Sequence, residues 1–242
     1  MFITVTRSYD EMSQRAALLV AAHVIVKPDT VLGLPTGSTP LGMYRELVRM
    51  RRETNLGFSR VATFNLDEYV GLPPDDPQSY DFFMRTNFTD HVNLRRDRVF
   101  IPDGRARDLA AECRRYEKLI ERRGPIDLFV LGIGQNGHIG FNEPSHALQA
   151  ETHVETLSAR TRRANARFFG SVSKVPRRAI TMGMGTIMKA REIILLAGSK
   201  EKAEAIKRAV KGPVTPAVPA SVLQLHPACR MFIDSSAASG LG

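Results

Sequence analysis

Two carboxylates stand side by side in Phe64-Asn65-Leu66-Asp67-Glu68-Tyr69-Val70-Gly71-Leu72, and His138 and Glu143 share the glycine-rich stretch Leu131 to Pro144. Such groups do proton chemistry when their surroundings drive their pKa values apart, one held as a base and another paired. For Asp67 and Glu68 taken alone, a solvated acidic turn is the better reading. His138 lies in a polar, glycine-punctuated loop rather than on an apolar face, which favours acid–base work over a core position. A different chemistry is offered by Leu34-Pro35-Thr36-Gly37-Ser38-Thr39-Pro40. Gly37 permits close backbone approach, Ser38 and Thr39 add hydroxyls beside the free N–H groups of a helix start, and Pro40 suits a first helical turn. That set makes an anion cradle, most naturally for phosphate. A plain turn with Thr39 as N-cap uses the same residues.

Neither glycine-containing loop reads as a nucleotide site. No Gly-Lys-Ser/Thr follows Pro35 to Pro40, so it is not a P-loop. Gly132, Gly134 and Gly137 do match G-x-G-x-x-G after an apolar run, with Glu155 near the distance of a ribose-binding carboxylate. A helix should start at the third glycine of that fingerprint, yet Gly140 and Pro144 interrupt the stretch. Cys113 and Cys229 are the only cysteines, too few for a disulfide framework or a cysteine-ligated zinc site. No metal-ligand cluster is visible, and neither a metal nor a cofactor is expected.

The elements that must position these loops alternate along the chain. Strands are expected at Phe2–Val5, Val31–Leu34, Val61–Phe64, Ile126–Leu131, Thr152–Leu157, Ala179–Met182, Ile193–Ala197 and Arg230–Ile233. Helices are expected at Tyr9–Val26, Leu41–Arg52, Tyr80–Phe88, Leu109–Arg123, an Arg-rich segment through Phe169, and Lys200–Val210. Apolar strand runs between amphipathic helices imply an α/β fold, a largely parallel sheet with helices on both faces, modified Rossmann-like. No composition shift marks a linker, so residues 1–242 read as one domain, with a small polar tail, Ser235 to Gly242, expected to fray. In such sheets ligands sit beyond the carboxyl ends of the strands at the topological switch. The three loops above all follow strands.

Composition bounds the rest. The chain has 242 residues, is 43% hydrophobic and carries a net charge of +9. It is too apolar for disorder and lacks an apolar run long enough to span a bilayer. Met1-Phe2-Ile3-Thr4 lacks the basic and apolar regions of a signal peptide, so none is expected. The basic residues are scattered over Arg49 to Arg52, Arg114 to Arg123 and Arg160 to Arg163, without aromatic interleaving or helix-turn-helix spacing. The charge therefore suits anionic metabolites rather than nucleic acid. A cytoplasmic protein with no membrane or nucleic-acid partner is expected.

Together the loops resemble glucosamine-6-phosphate deaminases, of the glucosamine/galactosamine-6-phosphate isomerase family. The resemblance rests on Gly33-Leu34-Pro35-Thr36-Gly37, Phe64 to Gly71, Ser79-Tyr80 and Gly137-His138-Ile139-Gly140-Phe141-Asn142-Glu143-Pro144. It continues through Arg162 to Phe169, Lys202-Ala203 and Leu223-Gln224-Leu225-His226-Pro227. It implies conversion of glucosamine 6-phosphate and water to fructose 6-phosphate and ammonia, a step of amino-sugar catabolism needing no metal or cofactor. By the same resemblance Asp67 moves the C2 proton to C1, His138 opens the ring, and Glu143 holds and polarises the imidazole. Thr36, Gly37, Ser38 and Thr39 would bind the phosphate with Arg167 and Lys202, under a lid formed by Ser158 to Phe169.

One position departs from the family pattern, which often has a carboxylate where this chain has Asn136. An amide can orient His138 but cannot raise its pKa as a carboxylate would. Glu68 is expected to be structural rather than a second base. Two alternatives share parts of the pattern. A 6-phosphogluconolactonase keeps the phosphate loop and the Gly-His but has no need of Glu143. A sugar-sensing regulator needs a DNA-binding module, for which the segment before Val31 is too short. Some family members are hexamers activated by N-acetylglucosamine 6-phosphate through a serine pair and an arginine and lysine two apart. Here those positions read His146-Ala147, His153 and Glu155, and the chain ends at Gly242 without their extension. A short, non-allosteric monomer or small homo-oligomer is expected.

Overall fold

The computed structural model describes all 242 residues. In chain order its elements are β1 (Phe2–Thr6), α1 (Tyr9–Val26), β2 (Val31–Leu34), α2 (Leu41–Glu53), β3 (Ala62–Asn65), β4 (Asp67–Tyr69), α3 (Tyr80–Asn87), β5 (Val99–Phe100), α4 (Leu109–Arg123), β6 (Leu128–Gly132), β7 (His153–Thr156), α5 (Ala159–Phe169), β8 (Arg178–Thr181), α6 (Met184–Met188), β9 (Glu192–Ala197), α7 (Ala203–Lys211) and β10 (Cys229–Asp234). Seven strands form one parallel sheet in the order β1-β10-β9-β6-β2-β3-β5.

Strand alternation divides the core into two layers. Leu128 and Val130 of β6 face one way, with Leu32, Ile194 and Leu196, and pack under Met12, Ala16 and Val20 of α1 and Tyr44 and Leu47 of α2. Phe129 and Leu131 face the other way, with Phe64, Ile193 and Leu195, against Tyr116 and Ile120 of α4 and Ile206 of α7. Side-chain oxygens satisfy the free amides at several helix starts: Ser8 caps α1, Ser79 caps α3, Asp108 caps α4 and Ser158 caps α5.

Several features differ from the sequence expectation: β4, β5 and α6 are additional elements, and β5 forms one edge of the main sheet. Neither Thr152–Leu157 nor Ala179–Met182 joins the main sheet; β8 pairs antiparallel with β4 and β7 in a separate three-stranded sheet. The tail, expected to fray, is placed as a turn against the fold. Residues Ala237–Gly240 form a 3-10 turn capped by Asp234, which accepts from Ala237 N at 2.8 Å. Ala237 is fully buried, and the small side chains let the segment pass close over α7.

Candidate active site

From β2 the chain steps outward through β3 to β5, then returns to β6 on the other side of β2 and continues through β9 to β10. The switch point therefore lies between β2 and β6, and the loops that follow these two strands face each other across it. They wall a cavity of about 230 Å³. Thr36 to Thr39 line one side, and Gly132 to Asn136 with His138 line the other. Asp67, Tyr80, Lys202 and the α5 residues Arg160, Thr161, Ala164 and Asn165 complete it.

The loop after β2 is an open cradle rather than a capped turn. Pro40, not Thr39, occupies the N-cap position of α2, and no side chain caps that helix. The backbone N–H groups of Gly37, Ser38 and Thr39 have no protein acceptor, and Gly37 takes a φ of +88° that suits glycine. Tyr9, at the start of α1, pins the loop from behind. Its hydroxyl lies 3.1 Å from the carbonyls of both Ser38 and Thr39 and accepts from Gly42 N at 2.8 Å. Lys202 reaches in from the turn before α7 and donates to Thr39 Oγ1 at 2.8 Å. Burial pushes its ammonium down to about 8 against the pull of Asp234 and Glu201. A cation deprived of water beside free amides is what a phosphate dianion would restore.

The neighbouring carboxylates are separated by the short strand that carries them. Pairing of β4 with β8 sets Asp67 opposite Thr181, and alternation sends Asp67 and Glu68 to opposite faces. Asp67 is buried and faces the cavity. Its carboxyl is held well above the usual range by burial, with the Glu68 charge adding to the effect. Glu68 instead turns to the start of α3, where it accepts from the backbone N–H groups of Tyr80 and Asp81 and of its neighbour Tyr69. Burial raises it to about 7 against these donors. Its role at a helix N-terminus is structural, as the sequence implied.

The loop after β6 holds His138 and Glu143, but not as the expected pair. Glu143 Oε1 lies 4.0 Å from His138 Nδ1, beyond hydrogen-bond reach, and Nδ1 has no partner. Two other residues hold the carboxylate. Asn136 Nδ2 donates to Oε2 at 2.8 Å, and the Thr161 hydroxyl donates to Oε1. Asn136 meets His138 only through its backbone, accepting from His138 N at 3.2 Å. The amide thus orients Glu143, a bond that an ionised carboxylate at this position could not donate. Burial pushes the imidazole below its ordinary value, Glu143 opposes this, and Lys202 and Arg160 reinforce it. A neutral ring suits a group that must take a proton at one atom and return it at another.

Two expected site residues do not line the cavity: Glu143, which touches it through Asn136 and Thr161, and Arg167, which stands apart. Arg167 is exposed, with its guanidinium 4.7 Å from the centroid of the Phe168 ring, and it does not line the cavity. Arg160 does, seven residues earlier on the same helix face and about 10 Å back along the axis. Glu155 likewise lies outside, 3.4 Å from His153 on β7. No helix starts at Gly137, which takes a φ of +90° in a turn closed by Gly137 N to Gly134 O. Tyr9 and Tyr80 are site residues not anticipated, and within the expected lid segment the cavity is lined by Arg160, Thr161, Ala164 and Asn165; Asn165 donates to the Tyr69 hydroxyl at 3.0 Å. No three His, Cys, Asp or Glu side chains converge as a metal site, and no helix is long and apolar enough to cross a membrane.

Comparison with known proteins agrees with this geometry. A glucosamine-6-phosphate deaminase of Thermoanaerobacter pseudethanolicus is 56% identical over 239 residues, covering 99% of this chain and 94% of its own. One of Halothermothrix orenii is 56% identical, covering 99% of each. Among solved structures, a monomeric glucosamine-6-phosphate deaminase of the NagB superfamily superposes with a TM-score of 0.97 at 48% identity, covering 99% of this chain and 100% of its own. A 6-phosphogluconolactonase of Thermotoga maritima, 18% identical with a TM-score of 0.75 over 97% of this chain and 99% of its own, shares the fold. The pattern of the glucosamine-6-phosphate isomerases/6-phosphogluconolactonase family matches residues 6–231. The chain belongs to that family.

Proposed function

We propose that the chain converts glucosamine 6-phosphate and water to fructose 6-phosphate and ammonia, acting as one domain on a soluble sugar phosphate. The observation that carries this reading is the single cavity that joins a free-amide loop and Lys202 to a buried carboxylate and a neutral histidine. The phosphate would occupy the Thr36 to Thr39 cradle with Lys202 as its cation. His138 would take the anomeric hydroxyl proton and deliver one to the ring oxygen, opening the sugar. Asp67 would take the C2 proton and return it at C1. A carboxylate raised by burial is a stronger base than one in water, and the substrate's ammonium beside it favours its ionised form. The resulting C2 imine is hydrolysed by water, which releases ammonia. Arg167 would reach the phosphate only if α5 moved along its axis toward the cradle. A cytoplasmic location and a monomeric or small oligomeric state fit a chain so similar to a monomeric deaminase.

The test is release of ammonia and fructose 6-phosphate from glucosamine 6-phosphate with no added metal or nucleotide. Turnover is expected. Inactivity alongside hydrolysis of 6-phosphogluconolactone would assign the lactonase reaction instead.

A further inference from the structure

Glu143 is held at both oxygens by neutral donors, while the imidazole beside it has an unpartnered ring nitrogen. One of those donors, Thr161, lies not on the loop of Glu143 but on α5, the helix that covers the cavity. Its hydroxyl is set as a donor toward the carboxylate. Ser158 Oγ, which caps α5, donates to Thr161 Oγ1 at 3.1 Å, which leaves the Thr161 proton for Glu143 Oε1. Oε1 is also the oxygen facing His138 Nδ1 across 4.0 Å. One oxygen thus has two possible partners on two different elements, and α5 holds it. Thr161 is buried, so water does not compete for this hydroxyl.

We propose that Thr161 is a positioning residue, whose hydroxyl holds Glu143 off His138 so that the placement of α5 over the cavity decides whether carboxylate and imidazole pair. The proposal rests on the deaminase reading for its catalytic meaning. With α5 as it stands, the ring keeps its neutral form. When α5 shifts, Glu143 turns to Nδ1 and favours the protonated ring. The charged groups acting on this ring are Glu143 on its own loop, Lys202 from the turn before α7 and Arg160 from α5, and Asp67 of β4 faces the same cavity.

The experiment is an NMR titration of the His138 ring in the unliganded protein, in the unsubstituted chain and in Thr161→Val and Thr161→Ser. The Val variant removes the hydroxyl and keeps the shape, so the His138 midpoint should rise by about 1–2 pH units, the scale of one hydrogen bond to a charged group. The Ser variant should restore it. The limb of the kcat–pH profile that reports this ring should move by the same amount, with KM nearly constant. Coincident midpoints in the unsubstituted and Val proteins would overturn the proposal. The unsubstituted protein supplies a check that needs no variant: a Thr161 hydroxyl proton protected from solvent exchange is expected, and its absence would also overturn it. Both readings are made without turnover, so a lack of ammonia release would count against the deaminase reading alone.

Discussion

The imidazole of His138 occupies the space that a Cβ on Gly134 would fill: such an atom would lie 2.1 Å from Cε1 and 2.3 Å from Nε2 of the ring. Gly134 has no left-handed backbone, so it is a glycine for room rather than for conformation. The resemblance of Gly132, Gly134 and Gly137 to a dinucleotide fingerprint thus has a local cause. One glycine seats a histidine and another makes the turn that presents it.

Gly134→Ala should therefore displace the ring without refolding the loop. A displacement on the order of 1 Å costs about 100-fold in rate where geometry governs proton transfer. kcat should fall by about that factor, while inhibition by inorganic phosphate, which reads the cradle on the opposite wall of the cavity, stays nearly unchanged. Equal loss of phosphate affinity would mean that the whole loop had moved.

The sequence makes six of the seven main-sheet strands readable because they are apolar runs entered and left through glycine, proline or caps, whereas β5, two residues long, is too short to show a pattern; α1, β2 and α4 begin and end where their patterns do. The small sheet is hidden. β4 is only Asp67–Tyr69, with no apolar alternation to announce it, and it exists because β8 pairs with it from more than a hundred residues away. β8 itself carries an apolar run indistinguishable from a main-sheet strand, and α6, five residues long, is too short to show a period. The same rule divides the site. Groups on loops after strands are legible, as Thr36 to Thr39 and His138 are, whereas Asp67 stands out from a plain acidic turn only through the family resemblance. Groups that enter by tertiary contact are not legible. Tyr9 meets Ser38 across 29 residues and Thr161 meets Glu143 across 18. Among the arginines of α5, periodicity puts Arg160 and Arg167 on one face but does not say which turn overlies the cavity.

Asp67→Asn removes the proposed base and keeps the shape. kcat should drop by about 10²–10⁴-fold, with substrate affinity retained, as for loss of a general base. Stability should move the other way. The folded-state pKa of Asp67 lies above its ordinary 3.8, so its contribution is fully present below about pH 4 and is lost as pH rises through the folded-state value. The Asn variant does not titrate, so its Tm should exceed that of the parent at pH 7, and the gap should close near pH 4. A gap independent of pH would show that Asp67 is not held in the proposed environment.

Lys202 gives the phosphate cradle its pH dependence. With its ammonium pushed down to about 8 by burial, the cradle loses its cation as pH rises past that value. KM for glucosamine 6-phosphate should climb above about pH 8. Lys202→Ala should weaken sugar-phosphate binding by about 1.5–3 kcal/mol, the worth of a charged hydrogen bond, and abolish that climb. Unphosphorylated glucosamine should be indifferent to the change. Equal losses for both sugars would indicate a damaged fold rather than a missing charge.

Regulation by an acetylated amino-sugar phosphate needs a second anion site, and the residues at the relevant positions do not make one. His153 stands 3.4 Å from Glu155 and also 2.9 Å from the Glu151 carbonyl, so both of its ring nitrogens face acceptors of its own chain. Glu155 presents negative charge where a phosphate would need a cation, and His146 and Ala147 replace a pair of hydroxyls with an imidazole and a methyl group. Coupling between two sites has no value if the second site does not bind. Rate against glucosamine 6-phosphate should be hyperbolic, with a Hill coefficient of about 1, and addition of N-acetylglucosamine 6-phosphate should leave the curve unchanged or compete at the active site. A sigmoid curve that becomes hyperbolic on adding that effector would require an anion site elsewhere on the chain and would defeat this reading.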